Sequence, residues 1–154
     1  MPFFTPMTSQ PPASNFATLD TRNSIAVLDF DASVVESAVW VGIIPPGTNL
    51  TGGLKVRIHW TATTATSGDA VWGASVERGN TDIDTDSYDT EATATGTANG
   101  TSGVVAVTEI ALTATDGVVA GDMFRLKIRR LATSGSDTMT GDAELIAVEV
   151  RSAA

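Results

Sequence analysis

The feature that most constrains the fold is an alternation of apolar and polar residues that continues from Ser24 almost to the C-terminal end. Successive side chains of a β-strand point to opposite faces, so this period of two is typical of strands with one buried face. The clearest stretch is 54–62, and its expected inward residues are Leu54, Val56, Ile58 and Trp60. Its polar positions are Lys55, Arg57 and His59.

The same alternation predicts strands along most of the chain, with Gly, Asn, Asp and Pro marking the turns between them. The predicted strands are Ile25–Phe30, Ser37–Ile44, Leu54–Ala62, Ala70–Arg78, Thr90–Thr97, Val104–Thr113, Asp122–Leu131 and Ala143–Arg151. Further inward rows are Ala70, Trp72, Ala74 and Val76, then Phe124, Leu126 and Ile128, then Ile146, Val148 and Val150. Trp40 fits either a core or a surface position.

About eight short strands without an amphipathic helix between them predict an all-β fold, either a sandwich or a barrel. We expect a jelly-roll β-sandwich of antiparallel strands. An immunoglobulin-like sandwich has a similar strand count, but the chain contains no cysteine and therefore lacks the Cys…Trp…Cys framework of that family. A length of 154 residues fits one such domain.

Residues 1–23 differ from the remainder, and we treat them as an extended N-terminal arm in front of the β-sandwich domain, residues 24–154. Prolines in the arm block regular structure. Apolar side chains in it mark a candidate partner-binding surface, because exposed apolar groups commonly mark contacts. These candidates are Phe3, Phe4, Met7 and Phe16. A frayed terminus is the alternative.

Composition and charge limit the partners of the chain. The formal net charge of −9 opposes binding to phosphate backbones, so we expect no nucleic-acid partner. No stretch approaches the ~18 apolar residues that cross a bilayer, and the N-terminus lacks the pattern of a secretion signal, so we expect no membrane partner. The cationic rows Lys55/Arg57 and Arg125/Lys127/Arg129 suit contacts with acidic loops of neighbouring subunits.

We expect no enzyme activity and no cofactor. His59 is the only histidine, and it lies in the middle of a predicted strand, with no G-x-S-x-G motif in the chain. One histidine without cysteine does not make a typical zinc site. Paired carboxylates of a glycosidase remain an alternative, because the sequence singles out no pair.

The acidic segment Asp82–Asp89 has the alternating carboxylates of a calcium loop. It departs from an EF-hand, because counting from Asp82 places Ser87 where that loop has glycine and Thr93 where it has glutamate. Calcium binding in another geometry and a solvated acidic loop are the two interpretations.

Several phrases of the sequence resemble small virion proteins of tailed bacteriophages. These phrases are LDFDASVVESAVW at 28–40, ATSGDAVWGASVER at 65–78, NGTSGVV at 99–105, GDMFRLKIRR from 121 and SDTMTGDAELIAVEVR ending at 151. The resemblance implies a jelly-roll structural protein of the virion, often a trimer, that acts as a capsid decoration (cement) protein or as part of a fibre. It assigns no individual functional residue.

From the resemblance we expect a decoration protein on the capsid surface of a phage particle. Its partners would be the major capsid protein and further copies of itself, with the arm contacting the shell or an adjacent subunit. Several modest contacts from one trimer to a repeating lattice would add up through avidity. The alternative is a fibre or baseplate module that binds a host surface glycan.

Overall fold

The chain folds into two antiparallel β-sheets that pack face to face. In the computed structural model, residues 1–79 and 83–154 are described. Their strands are β1 (Phe3–Phe4), β2 (Thr18–Arg22), β3 (Ile25–Phe30), β4 (Glu36–Ile43), β5 (Leu54–Ala62), β6 (Asp69–Arg78), β7 (Ala92–Thr97), β8 (Ala106–Leu112), β9 (Met123–Arg130) and β10 (Ala143–Ser152). A 3-10 turn, Pro6–Thr8, follows β1. Nowhere in these residues is there a helix with the length and hydropathy needed to span a bilayer.

The strand order is that of a jelly roll, as predicted. The first sheet has the order β2-β3-β10-β5-β8, with β1 added beside β10, and the second has the order β4-β9-β6-β7. From β3 to β10 the chain changes sheet at every connection except the β6–β7 hairpin. The all-β sandwich class is therefore confirmed.

The predicted strands agree with those observed to within two residues at each end, because each strand keeps one buried face. The predicted inward residues of β5, β6 and β9 all lie in the core. One row is wrong. A β-bulge between Leu145 and Ala147 shifts the register of β10 against β5, which turns Leu145 into the core and leaves Ile146 on the outer face. An extra residue in one strand reverses the alternation locally, and the sequence pattern alone does not show it.

The core is built around aromatic side chains from both sheets. Trp40 is fully buried, which settles its position, and its indole N–H donates to the carbonyl of Thr5 at 2.9 Å. Trp60 and Trp72 lie together, with ring centroids 5.8 Å apart. The indole N–H of Trp60 donates to the hydroxyl of Thr108 at 2.9 Å. Burial of each large side chain contributes about 1.5–3 kcal/mol, which makes these contacts the main source of stability.

The N-terminal segment, defined here as residues 1–17, is not a free arm but lies along its own domain. β1 pairs with β10, Gln10 and Phe16 each form a bridge with β4, and β2 then forms a hairpin with β3. The expected division after residue 23 therefore falls within a hairpin of the first sheet. The bridges also cover the outer edge of β4, an edge that otherwise exposes unpaired backbone groups.

A buried ion pair stabilises the connection between β9 and β10. Arg130, which follows Ile128 on the inward face of β9, is fully buried, and its guanidinium donates twice to Asp137, at 2.8 and 3.1 Å. The remaining donors reach the carbonyls of Phe30, Gly141 and Met139. A charge pair that is buried in this way is stable only when its hydrogen bonds are satisfied, and here they are.

Candidate binding surfaces

The four predicted partner-binding residues have different environments. Phe4 is only 6% exposed, with its ring 6.1 Å from that of Trp40 and 6.2 Å from that of Phe124. It belongs to the core, so its assignment as a partner contact is wrong. Phe3, the next residue in the strand, points outwards and is 63% exposed. Adjacent residues of a strand face opposite sides, which explains the contrast.

A close approach at Gly42 makes room for Phe4. A Cβ at this position would lie 2.7 Å from the Phe4 ring and 2.9 Å from that of Phe124, distances that real Cβ atoms do not adopt. Glycine is used where two groups must approach the backbone closely. The lack of a side chain at Gly42 thus allows the N-terminal segment to pack against the sandwich.

Met7 and Phe16 come together with Leu19 in an exposed apolar surface, which we call the apolar patch. They surround a shallow hollow of about 230 Å³ that is also lined by Pro6, Pro11 and Leu28. The exposed fractions of Met7, Phe16 and Leu19 are 70%, 47% and 52%. Adjacent exposed apolar side chains of this kind are typical of contact surfaces.

The second surface is a polar groove of about 420 Å³ on the outer face of the second sheet, which we call the cationic groove. Its floor is formed by the outward residues of β9, and its walls come from the N-terminal segment, β4 and the segment before β7. The lining residues are Gln10, Pro11, Pro12, Ala13, Ser37, Val39, Asp86, Tyr88, Arg125, Lys127 and Arg129.

Two of the three cations in the groove are paired with carboxylates of the same chain. Arg125 contacts buried Glu77 and also reaches the exposed carboxylate of Asp86 at 2.8 Å. Arg129 donates two hydrogen bonds to Glu91, each of 2.7 Å. Gly73 leaves the space that the Glu91 carboxylate fills, since a Cβ there would lie 2.6 Å from it. Hydrogen bonding to Glu91 raises the pKa of Arg129.

Lys127, between the two arginines, has a different partner. Its ammonium nitrogen lies 4.0 Å from the centroid of the Tyr88 ring, and the Arg125 guanidinium carbon lies 5.2 Å from the same centroid. Within the part of the chain that the structure describes, no carboxylate lies in ion-pair distance of Lys127. Burial raises the pKa of the Tyr88 phenol to about 12, so the ring stays neutral.

The cations of β5 are paired in the same manner, on the outer face of the first sheet. Lys55 and Arg57 reach Glu109 of β8 at 3.4 and 3.6 Å, and Arg57 also reaches Glu149 of β10 at 3.3 Å. The outward cations of these rows are thus paired with carboxylates of the chain itself, with Lys127 the exception among the described residues. Contact of the rows with acidic loops of a neighbouring subunit stays a prediction.

His59 lies on the same outer face, opposite Ala147 and Val107 of the neighbouring strands. Neither neighbour is a nucleophile or a carboxylate. The absence of enzyme activity stays a prediction.

The acidic segment does not gather its carboxylates in the part that the structure describes. Asp82 lies outside the described residues. Asp86 pairs with Arg125, while Asp89 accepts the backbone N–H groups of Asp116 and Thr90 at 2.7 Å each, which lowers its pKa. Over residues 1–79 and 83–154, no three carboxylate or histidine side chains are placed to hold a metal ion. Calcium binding by this segment stays a prediction.

Sequence reasoning missed the contribution of Tyr88 and Gln10 to the groove. Tyr88 follows the acidic residues of a long loop, and only the tertiary fold brings it over β9. A sequence signal was available, because Tyr88 is the only tyrosine and lies among polar residues.

Comparison with known proteins finds similarity to solved structures at low sequence identity. No protein-family model matches the chain, and no curated protein matches it. Among solved structures, the chain is similar to the family 30 carbohydrate-binding module of a cellulosomal cellulase of Clostridium thermocellum. The identity is 10% and the TM-score 0.48, over 94% of this chain and 90% of the module.

Proposed function

We propose that the chain is a non-enzymatic structural protein of a phage virion, a capsid decoration protein that attaches to the major capsid protein. The apolar patch carries this proposal. A decoration protein must present a surface that is more favourable against the shell than in water, and apolar area contributes about 25 cal/mol per Å² when it is buried. Met7, Phe16 and Leu19 provide such a surface.

The phrases that resemble tailed-phage virion proteins support the location on the particle, and the jelly-roll fold is compatible with it. Assembly as a trimer belongs to the same proposal. A trimer presents the apolar patch three times, so the contacts with a repeating lattice reinforce one another.

The test measures binding of the purified chain to shells of the phage that encodes it, by co-sedimentation. The triple variant Met7→Ser, Phe16→Ser and Leu19→Ser should lose at least tenfold in affinity. The control is the variant Ile43→Ser, Ile83→Ser and Val119→Ser, which removes three exposed apolar side chains elsewhere. Failure of the native chain to sediment with shells, or equal binding of both variants, would contradict the proposal.

Deleting residues 2–18 would be a less informative experiment than surface substitution. The deletion removes Phe4 from the core and the carbonyl that accepts the Trp40 N–H. Loss of binding would then report loss of the fold. Surface substitutions in the apolar patch keep the two effects apart.

A second candidate function is recognition of a surface glycan, and the cationic groove favours it. A groove of about 420 Å³ is within the usual range for small-ligand sites. Gln10, Ser37 and Lys127 supply polar groups at its surface, and Tyr88 supplies an aromatic ring.

The test of this candidate is binding of the full chain to a glycan array, with Tyr88→Leu as the variant. Binding that is lost in the variant supports the groove as the site. Absence of binding to every glycan contradicts the candidate and leaves the capsid proposal untouched. A repeat with EDTA tests whether a cation takes part.

A further inference from the structure

Three carboxylates balance the three cations of the groove, but Glu77, Asp86 and Glu91 all pair with the two arginines. Arg125 and Arg129 thus have carboxylate partners, whereas Lys127 has none in ion-pair distance among residues 1–79 and 83–154 and lies against the Tyr88 ring. The Tyr88 phenol is neutral at neutral pH and therefore does not cancel the charge of this lysine. A half-buried ammonium on the floor of a groove attracts an anion from solution more strongly than an exposed one, since water screens it less.

The surroundings of Lys127 also keep it in position. On one side Arg125 is held by Glu77, whose carboxylate accepts the backbone N–H and the hydroxyl of Ser87 at 3.0 Å each. Through Ser87 the same carboxylate fixes the segment that carries Tyr88. The ring therefore limits where the ammonium can lie, and a preorganised charge loses less entropy when a ligand binds.

We propose that the cationic groove binds an acidic sugar, with the carboxylate or sulfate of the sugar paired to the Lys127 ammonium. This inference rests on the second candidate function and names its ligand class. The groove favours a sugar over an acidic peptide, because the edge of β4 beside it is already bridged by Gln10 and Phe16 and is not an open strand edge. An extended peptide needs such an edge for its backbone hydrogen bonds.

The proposal gives Lys127 a specific role. Ser37 and Gln10 are placed to hydrogen-bond sugar hydroxyls, which do not distinguish acidic from neutral sugars. Selectivity for the acidic form comes from Lys127. Binding should weaken as salt is added, because the contact is a partly exposed ion pair.

The experiment compares the full chain with acidic glycans (polygalacturonate, alginate, hyaluronan and heparin) and with neutral ones (methyl-esterified polygalacturonate and dextran), by calorimetry. At least one acidic glycan should bind, and Lys127→Gln should weaken that binding at least tenfold. Lys55→Gln is the matched control, because Lys55 lies on the outer face of the other sheet in an ion pair with Glu109. It should leave binding unchanged. Near-UV circular dichroism verifies that both variants are folded.

Each remaining outcome has one meaning. Binding confined to neutral glycans, or unaffected by Lys127→Gln, overturns the inference and leaves glycan recognition standing. Binding to no glycan overturns both. Equal binding of poly-glutamate and acidic glycans shows that the groove recognises anionic chains in general, and this contradicts the assignment of a sugar.

Discussion

At the scale of single residues, the chain places several charges where water does not fully solvate them. Arg130 and Asp137 satisfy one another within the core. Asp29 on β3 is different, because one of its carboxylate oxygens is buried without a hydrogen-bond partner. Burial, followed by the negative charges of Glu144, Asp20 and Asp142, raises its pKa to about 6. The ionised carboxylate therefore destabilises the fold at neutral pH.

The variant Asp29→Asn should be more stable than the native chain at pH 7.5. The folded-state pKa of about 6 lies above the ordinary value of 3.8, so stability is gained on acidification through this window and lost as pH rises through about 6. The full difference corresponds to about 3 kcal/mol. Solvent screening at a partly exposed group reduces the expected gain to about 1 kcal/mol.

Urea denaturation at pH 7.5 and at pH 4 measures this prediction. The gain in stability of the variant Asp29→Asn should disappear at pH 4, where the native carboxyl is already protonated in the folded state. Asp31→Asn is the control. It should lower the stability at pH 7.5, because hydrogen bonds from Ser33 lower the pKa of Asp31. A variant Asp29→Asn that gains nothing at pH 7.5 would show that the carboxylate is better solvated than its burial indicates.

At the scale of elements, the N-terminal segment, which we also call the strap, packs against the sandwich with its inner side and exposes its outer side. Its inner side inserts Phe4 beside Trp40, pairs β1 with β10 and bridges β4. Its outer side carries Met7 and Phe16. One short segment thus completes the core and, in the proposed function, presents the contact surface. Any partner that binds it meets a surface already ordered by the fold, so little entropy is lost on binding.

The matched pair Phe4→Ala and Phe3→Ala tests whether the strap is part of the fold. Truncating a fully packed phenylalanine removes about 3–5 kcal/mol of stability, whereas an exposed one changes it by about 0.5 kcal/mol or less. Phe4→Ala should therefore lower the free energy of unfolding by about 3 kcal/mol, and Phe3→Ala should leave it nearly unchanged. Guanidinium denaturation gives both values. Similar values for the two variants would mean that the strap adds no core contact.

At the scale of the whole molecule, the two sheets and the N-terminal segment share one core. Trp60 and Trp72 connect the sheets, and Trp40 connects the second sheet with the segment. Around this core, the apolar patch and the cationic groove both use the N-terminal segment, since Pro11 lines each of them. A partner at one surface therefore lies close to a ligand at the other.

The shared core predicts a single cooperative unfolding transition. Trp fluorescence reports the strap and the sandwich core together, and far-UV circular dichroism reports the strands. The two signals should change at the same urea concentration, as expected for a small two-state domain. A fluorescence transition at lower urea would mean that the N-terminal segment detaches first.

The sequence alone was enough to predict the eight strands β3 to β10, because the alternation records which face of each strand is buried, but it did not predict β1 and β2. Leu54–Ala62 was predicted to the residue, and the spacing of turns indicated a sandwich or a barrel. The phage location, the trimer and the capsid partner remain predictions that came from resemblance.

Only the tertiary fold shows which apolar residues of the N-terminal segment are buried and which residues far apart in the sequence form a site. Phe3 and Phe4 are adjacent residues of the same type, and only the pairing of β1 with β10 shows which one faces inwards. Ile146 lies outside the core because a β-bulge shifts the register of β10 against β5. Tyr88 meets Lys127 because the long loop before β7 crosses the outer face of β9. Local periodicity reports the burial of a strand face, whereas contacts between segments far apart in the chain depend on how the sheets and loops pack.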